Sequence, residues 1–274
     1  MPTHPPRRRR NSFLFLTILL LCILFLPFIP IVISSFSGRW LFPALLPTEW
    51  STRAWSYLFS PQTQLWRALT DSLFIGGIAT LVSLIVGVPA GRVLGLSHFR
   101  GKTLVEFLIL SPAIVPVFAP AMGIHATFIR LGLSDSYLGV LLVHIIPTLP
   151  YVILILSGVF SNYSVEEEEG ARTLGANSFK VFWYVTLPAV WPAIMVAGFY
   201  AFTNSWSQYL LTLLIGGGKV LTLPILLMNF VNSGDYVIAS ALSLLFIFPA
   251  VIMLLFSSRF LTGRNAELGG YGRI

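Results

Sequence analysis

The feature that most constrains this chain is a set of six windows free of Asp, Glu, Lys and Arg. They run from Asn11 to Gly38, Ser72 to Gly91, Phe107 to Ile129, Ser136 to about Phe160, about Leu187 to Leu214, and Tyr236 to Ser258. Each offers about the ~20 apolar residues that carry a helix across the hydrocarbon core of a bilayer. No water reaches the backbone in that core, so each window must satisfy its N–H and C=O groups internally, as a helix. The expected fold class is an all-α integral membrane protein with six transmembrane helices. Composition agrees. Only 10% of the 274 residues are charged, 56% are hydrophobic and the mean hydropathy is +0.84, whereas soluble domains carry about 25% charged residues.

The windows divide the chain into a basic tail at 1–12, a first span at 13–35, an external loop at 36–70, a five-helix core at 71–260 and a second tail at 261–274. The apolar part of the first window, Phe13 to Ile33, is too long for a signal peptide and is followed by no clean small-x-small site, so it reads as an uncleaved span. The loop after it gathers Trp40, Trp50, Trp55, Tyr57 and Trp66, residues that collect at membrane interfaces. An interfacial helix is expected there.

With the amino terminus inside, twelve of the seventeen basic residues become cytoplasmic: Arg7 to Arg10, Arg92, Arg100, Lys102, Arg172, Lys180, Arg259, Arg264 and Arg273. The positive-inside rule then places both termini, and the polar stretch 161–188 between the fourth and fifth windows, in the cytoplasm. The net charge of +7 is explained by this topology. The basic residues form no stripe with interleaved aromatics, so no nucleic-acid partner is expected. Cys22, the single cysteine, has no disulfide or metal-site partner and reads as a small buried hydrophobe.

The stretch Ser164 to Pro188 reads SVEEEEGARTLGANSFKVFWYVTLP. Ser164 followed three residues later by Glu167 is a capping-box pattern, so a helix is expected to start at Val165 with Glu166 to Glu169 in water at its positive end. Gly170, Ala171 and Leu174 continue it. Gly175 is placed to end it in a left-handed conformation, and a second short helix is expected from Ser178, carrying Phe179, Val181 and Phe182 before Leu187 and Pro188 open the fifth span.

Here the chain resembles the membrane subunits of binding-protein-dependent ABC importers, whose motif is E-A-A, three residues, G, nine residues, then I-x-L-P. This sequence has Glu169-Gly170-Ala171, Gly175 after three residues, and Val185-Thr186-Leu187-Pro188 after nine more. Gly170 and Val185 depart from the pattern, and Gly170 loosens its helix. The resemblance implies that this loop docks on an ATP-hydrolysing subunit, with Glu167, Glu168, Glu169, Gly170, Ala171, Leu174, Gly175, Ala176, Phe179, Leu187 and Pro188 as its coupling residues. It further implies two ATP-binding subunits, a second permease subunit or second copy, an extracytoplasmic solute-binding protein, and the bacterial inner membrane as the location. ATP and Mg would be bound by the partner subunits, with no cofactor in this chain. Thr173 to Ala176 looks more like the polyamine, thiamine, iron and phosphonate branch than the sugar branch. A sugar permease and a passive six-span channel are the alternatives.

No enzyme is legible. Gly95 and Gly101 are separated by five residues, where a phosphate-binding loop needs four, and the four histidines are dispersed. Candidates for the solute pathway are polar or helix-breaking residues inside the windows, because such groups are costly in hydrocarbon. Pro112, Pro116 and Pro120 recur every four residues in the third window, so that span is expected to line the interior. In the fifth, Asn204, Ser207, Gln208 and Leu211 are expected to share a helical face flanked by Trp206 and Tyr209. Trp206 to Tyr209 resembles the family's pathway-lining W-N-D-F-like stretch. Packing is the competing reading for both sets. Asp71 with Ser72 reads as a helix cap, and Gly87 with Gly91 has the spacing of close helix packing.

Overall fold

A computed structural model describes residues 19–20, 22–40, 44–115 and 118–263. The first tail, residues 264–274 of the second and Pro116 therefore lie outside the described residues. An apolar helical stretch Cys22–Ser35 includes α1 (Phe28–Ser35), and a two-stranded antiparallel ladder of β1 (Ser37–Arg39) and β2 (Glu49–Trp50) precedes α2 (Arg53–Leu58). Then come α3 (Leu65–Leu96), α4 (Lys102–Ile114), α5 (Phe118–Arg130), α6 (Tyr137–Phe160), α7 (Glu166–Thr173), α8 (Ser178–Val181), α9 (Leu187–Trp206), α10 (Leu210–Gly216), α11 (Leu223–Asn232) and α12 (Tyr236–Gly263). Among the described residues four helices are long and apolar enough to cross a membrane: Leu65–Leu96, Tyr137–Phe160, Ser178–Trp206 and Tyr236–Met253. The all-α membrane class holds, with one small ladder added.

Four expectations need correction. The second window is the middle of the longer helix α3, so Asp71 and Ser72 are not a cap. They lie inside the helix and hold the loop before α11, with Ser72 Oγ accepting from Leu223 N at 2.8 Å. The third window is two helices of 13 residues, each shorter than a bilayer crossing. Val115 between them is extended at φ −77° and ψ 128°, because the residue before a proline is driven out of the helical region. The fifth window stops at Trp206 and restarts at Leu210. Cys22 is exposed rather than buried, on a stretch whose apolar side chains face outward.

The chain forms two compact units, Met1–Leu65 with Leu227–Ile247, and Trp66–Leu226 with Phe248–Ile274. In the first, Phe36 stacks on Trp55 with ring centroids 5.6 Å apart, and Arg53 reaches Asp235 at 3.7 Å. The aromatics of this region are thus partly spent on internal packing.

In the second unit α6 is the hub, touching α4, α9 and α10. One buried cluster joins Ile75, Ala121, Val140, Val143, Leu211, Ile215 and Val220; another joins Val152, Leu156, Phe160, Val190, Ile194, Ala197 and Ala201. The expected small-residue packing is present and longer than Gly87 and Gly91 suggested. A Cβ at Gly87 would meet Val152 Cγ1 at 2.5 Å, one at Gly91 would meet Leu156 Cβ at 2.7 Å, and one at Gly95 would meet Phe160 Cβ at 2.5 Å. Two matched rows four residues apart, glycines on α3 and bulky side chains on α6, bring the helices closer than any side chain on α3 would permit.

Candidate functional site

The acidic loop folds as a helix, a glycine turn and a second helix. Its details follow from the backbone. Helix α7 starts at Glu166, not Val165, and no side chain caps it. Val165 occupies the cap position and its carbonyl accepts from both Glu168 N and Glu169 N at 3.0 and 3.1 Å, so Ser164 stands one residue too early for the capping box. At the other end Gly175 has φ +87°. Gly175 N donates to Arg172 O at 2.9 Å and Ala176 N to Ala171 O at 3.1 Å, the paired bonds of a Schellman turn. Asn177 then caps α8 through its side chain, which accepts from Lys180 N at 2.9 Å.

Leu187 and Pro188 do not open a separate span. The chain is helical without interruption from Ser178 to Trp206, passing through a widened π turn at Phe182–Thr186. Pro188 has no N–H for the Tyr184 carbonyl and its ring crowds that group, and the wider turn accommodates both faults.

The four glutamates do not all lie in water. Glu166, Glu167 and Glu169 are exposed, but Glu168 is 1% exposed. Helical periodicity turns this one position inward, with Ala171 half-buried on the same side. There Glu168 meets Arg92 of α3 in a two-pronged pair: Nη1 donates to Oε1 at 2.7 Å and Nη2 to Oε2 at 2.9 Å. Thr186 Oγ1 donates to Oε1 at 2.7 Å, and Arg172 lies 3.8 Å from Oε2. Burial pushes the Glu168 carboxyl toward protonation, but the bonds from Arg92 and Thr186 outweigh it and hold the group below the usual carboxylate range. The Arg92 guanidinium also stands 5.8 Å from the ring centroid of Phe160, which is wholly buried.

The outward side of the loop carries Glu166, Glu167, Glu169, Arg172 and Lys180 together with large apolar residues. Leu174 is 90% exposed, Phe179 71% and Tyr184 79%, and Phe179 and Phe182 each pack a ring against Trp183. Gly170, Gly175 and Pro188 are exposed, while Ala176 and Leu187 are half-buried. Exposed apolar groups thus cluster on an otherwise polar loop.

The proposed helical face of the fifth window is not one face. Asn204 lies on α9 and Leu211 on α10, with Ser207, Gln208 and Tyr209 in the break between. Ser207 Oγ donates back to Thr203 O at 2.9 Å, and Thr203 Oγ1 to Phe199 O at 2.8 Å, a local bonding pattern that competes with helix continuation. Trp206 is 2% exposed and stacks on Phe202 at 5.4 Å. Asn204 Oδ1 lies 3.3 Å from Thr148 Oγ1 of α6. Close by, His144, which sequence reasoning set aside as dispersed, is bonded at both ring nitrogens, to Ser205 Oγ at 2.7 Å and Thr212 Oγ1 at 2.8 Å. Pro120 lines a cleft of about 260 Å³ with Ser111, Pro112, Val115, Ile146, Pro147 and Leu211 among its walls.

Comparisons with known proteins agree with this architecture. The chain is 24% identical over 269 residues to the inner membrane ABC transporter permease protein YcjP of Escherichia coli (strain K12), covering 95% of this chain and 96% of that one. It is 31% identical to the molybdenum transport system permease protein ModB of Mycobacterium tuberculosis (strain ATCC 25618 / H37Rv), over 74% of this chain and 81% of the relative. It is 30% identical to the putrescine transport system permease protein PotI of Escherichia coli (strain K12), over 77% and 76%. A crystal structure of a bacterial ABC transporter involved in the import of the acidic polysaccharide alginate has the same fold, with a TM-score of 0.74 at 19% identity, covering 96% of this chain and 100% of that one. The family model described as the binding-protein-dependent transport system inner membrane component matches residues 87–262, which include the acidic loop and the whole of α6 and α9. On that match, and with 30–31% identity to curated permeases over most of its length, the chain belongs to the family of inner-membrane components of binding-protein-dependent transport systems.

Proposed function

We propose that this chain is a multi-pass permease subunit of an ABC importer, that it forms half of a solute pathway, and that its 161–188 loop receives the motion of an ATP-hydrolysing partner. The observation that carries this reading is the loop's two-sidedness. One side is anchored by Glu168; the other presents Leu174, Phe179 and Tyr184 outward. A passive channel has no use for such an anchored apolar docking face. In the assembly so read, two ATP-binding subunits hold ATP and Mg, a second permease subunit completes the pathway, and an extracytoplasmic protein delivers the solute. Both termini and the loop face the cytoplasm, as the distribution of basic residues requires.

The pathway is read near the break after α9, where Asn204, Gln208 and Tyr209 are half-buried and Pro120 borders the cleft. The polar groups bonded around His144 and Asn204 are the hydroxyls of Ser205, Thr212 and Thr148. The solute is read as small and polar or charged, in the polyamine, thiamine, iron or phosphonate class, with a sugar as the alternative.

The docking reading is tested with Leu174→Asp combined with Phe179→Asp. Both side chains are exposed, so the protein should insert normally, while the ATP-binding subunits should no longer co-purify. Full retention of those subunits would remove the loop from the docking role.

A further inference from the structure

Three parts of the second unit meet at one carboxylate. Arg92, on α3 between Gly91 and Gly95 of the glycine row, grips Glu168 of α7 with both terminal nitrogens. Thr186, in the widened turn that leads into α9, donates to the same carboxylate. Beneath the guanidinium lies Phe160, the last residue of α6, whose Cβ is the atom that a side chain at Gly95 would strike. The pair is thus planted beside the glycine row along which α3 packs on α6, with no α3 side chains in that row to absorb a displacement.

We propose that Arg92 is a positioning residue for coupling: through Glu168 it makes the docking helix α7 and the packed pair α3 and α6 move as one body. This rests on the reading of 161–188 as the docking loop. A single-point contact would let α7 pivot, but a planar, bidentate pair fixes both position and orientation. The hydroxyl of Thr186 fixes the same carboxylate from a second direction. Force arriving at the outward face of the loop therefore reaches α3 and α6 without slack. Glu166, Glu167 and Glu169 have no such anchor: each is exposed, and the only described ion pairs of the four-glutamate run are those of Glu168.

The test needs no knowledge of the solute. In the transporter co-expressed with its ATP-binding subunits and with Cys22 replaced, spin labels are placed at Asn177 of the loop and at Thr70 near the far end of α3. Both positions are exposed. Their separation is measured by pulsed electron resonance without nucleotide and with ATP and vanadate. The original pair should give one narrow separation, the same in both states. Arg92→Gln should broaden it or make it depend on nucleotide, and Arg92→Lys, which keeps the charge but loses the fork, should fall between. Because a lone Glu168 left in a buried site can disturb folding by itself, the neutral double variant Arg92→Gln with Glu168→Gln is measured too. Its loop should remain loosened. The proposal is overturned if the original separation changes between the two states, or if the double variant restores a narrow, state-independent separation. Subunit stoichiometry is followed in each sample. Loss of the ATP-binding subunits in Leu174→Asp with Phe179→Asp, together with unchanged separations in the Arg92 variants, would reject the strut and leave the docking surface standing. Retained subunits there would reject the docking surface itself.

Discussion

Substituting alanine for Gly95 and for Gly77, both on α3, should move stability in opposite directions. Gly77 has nothing within 4 Å of the position its Cβ would take. Alanine there only removes the entropic cost of glycine in a helix, a gain of about 0.5–1 kcal/mol. At Gly95 the same methyl would sit 2.5 Å from Phe160 Cβ, 2.8 Å from Ser157 O and 2.9 Å from the Phe160 carbonyl carbon. Two of these are backbone atoms, which cannot swing aside. Carbon atoms rest at about 3.5–4.0 Å, so α3 and α6 must part by roughly 1 Å, enough to forfeit about a quarter to a half of each dispersion contact along the seam. Overpacking of this kind costs about 1–3 kcal/mol. After the propensity gain is subtracted, Gly95→Ala should be about 1–2 kcal/mol less stable than the parent. The gap between the two alanine variants is then about 2 kcal/mol, or roughly a 30-fold difference in the folding equilibrium. Equilibrium unfolding of the purified protein in mixed micelles, titrated with sodium dodecyl sulfate, reads this gap directly. If Gly95→Ala proved as stable as Gly77→Ala, the close approach of α3 and α6 would be wrong, and with it the rigid seat of Arg92.

Three further outcomes are expected. Gly175→Val forces a branched side chain into φ +87° at a cost of about 1–2 kcal/mol; it should leave the protein inserted but weaken attachment of the ATP-binding subunits, measured by co-purification, with normal stoichiometry counting against the docking reading. Asn204→Ala and Gln208→Ala should lower transport or alter solute preference while assembly survives, whereas unchanged uptake kinetics in both would assign these groups to packing. In a background without Cys22, a cysteine at Asn177 should react with an impermeant thiol reagent only from the cytoplasmic side and one at Thr48 only from outside, and outside labelling at Asn177 would reverse the topology.

Much of this molecule is legible in its sequence, for reasons that are local. The Schellman turn at Gly175 and the cap at Ser136, whose Oγ accepts from Gly139 N at 3.0 Å, need only the residue types at neighbouring positions. Charged residues set both limits of the window for α12, Asp235 and Arg259, and the start of the one for α6, Asp135. Glu168 shows the limit of that method: charge counting sends all four glutamates into water, and nothing in a run of identical residues says which one turns inward. The signal lay elsewhere, in Arg92, a lone cation in the last turns of an apolar helix and flanked by two glycines of a packing row. Such a residue requires a partner within reach. His144 was missed for a related reason, since its partners Ser205 and Thr212 lie 61 and 68 residues away.

The two places where helix expectation failed are connected. Proline at position 116 forces Val115 out of helical geometry, and the hydroxyl and amide side chains of Thr203, Asn204, Ser205, Ser207 and Gln208 let α9 end without a proline. Broken backbone at membrane depth is tolerated against protein or a water-filled cavity, not against lipid. Both breaks border a single feature. The cleft bordered by Pro120 takes Val115 from the first break and Leu211 from just beyond the second, together with Pro147, where α6 has lost a backbone donor. Chain breaks and prolines from several helices thus border one space. This convergence lies within residues 87–262, which the family model matches, and it is where the proposed solute path is to be tested.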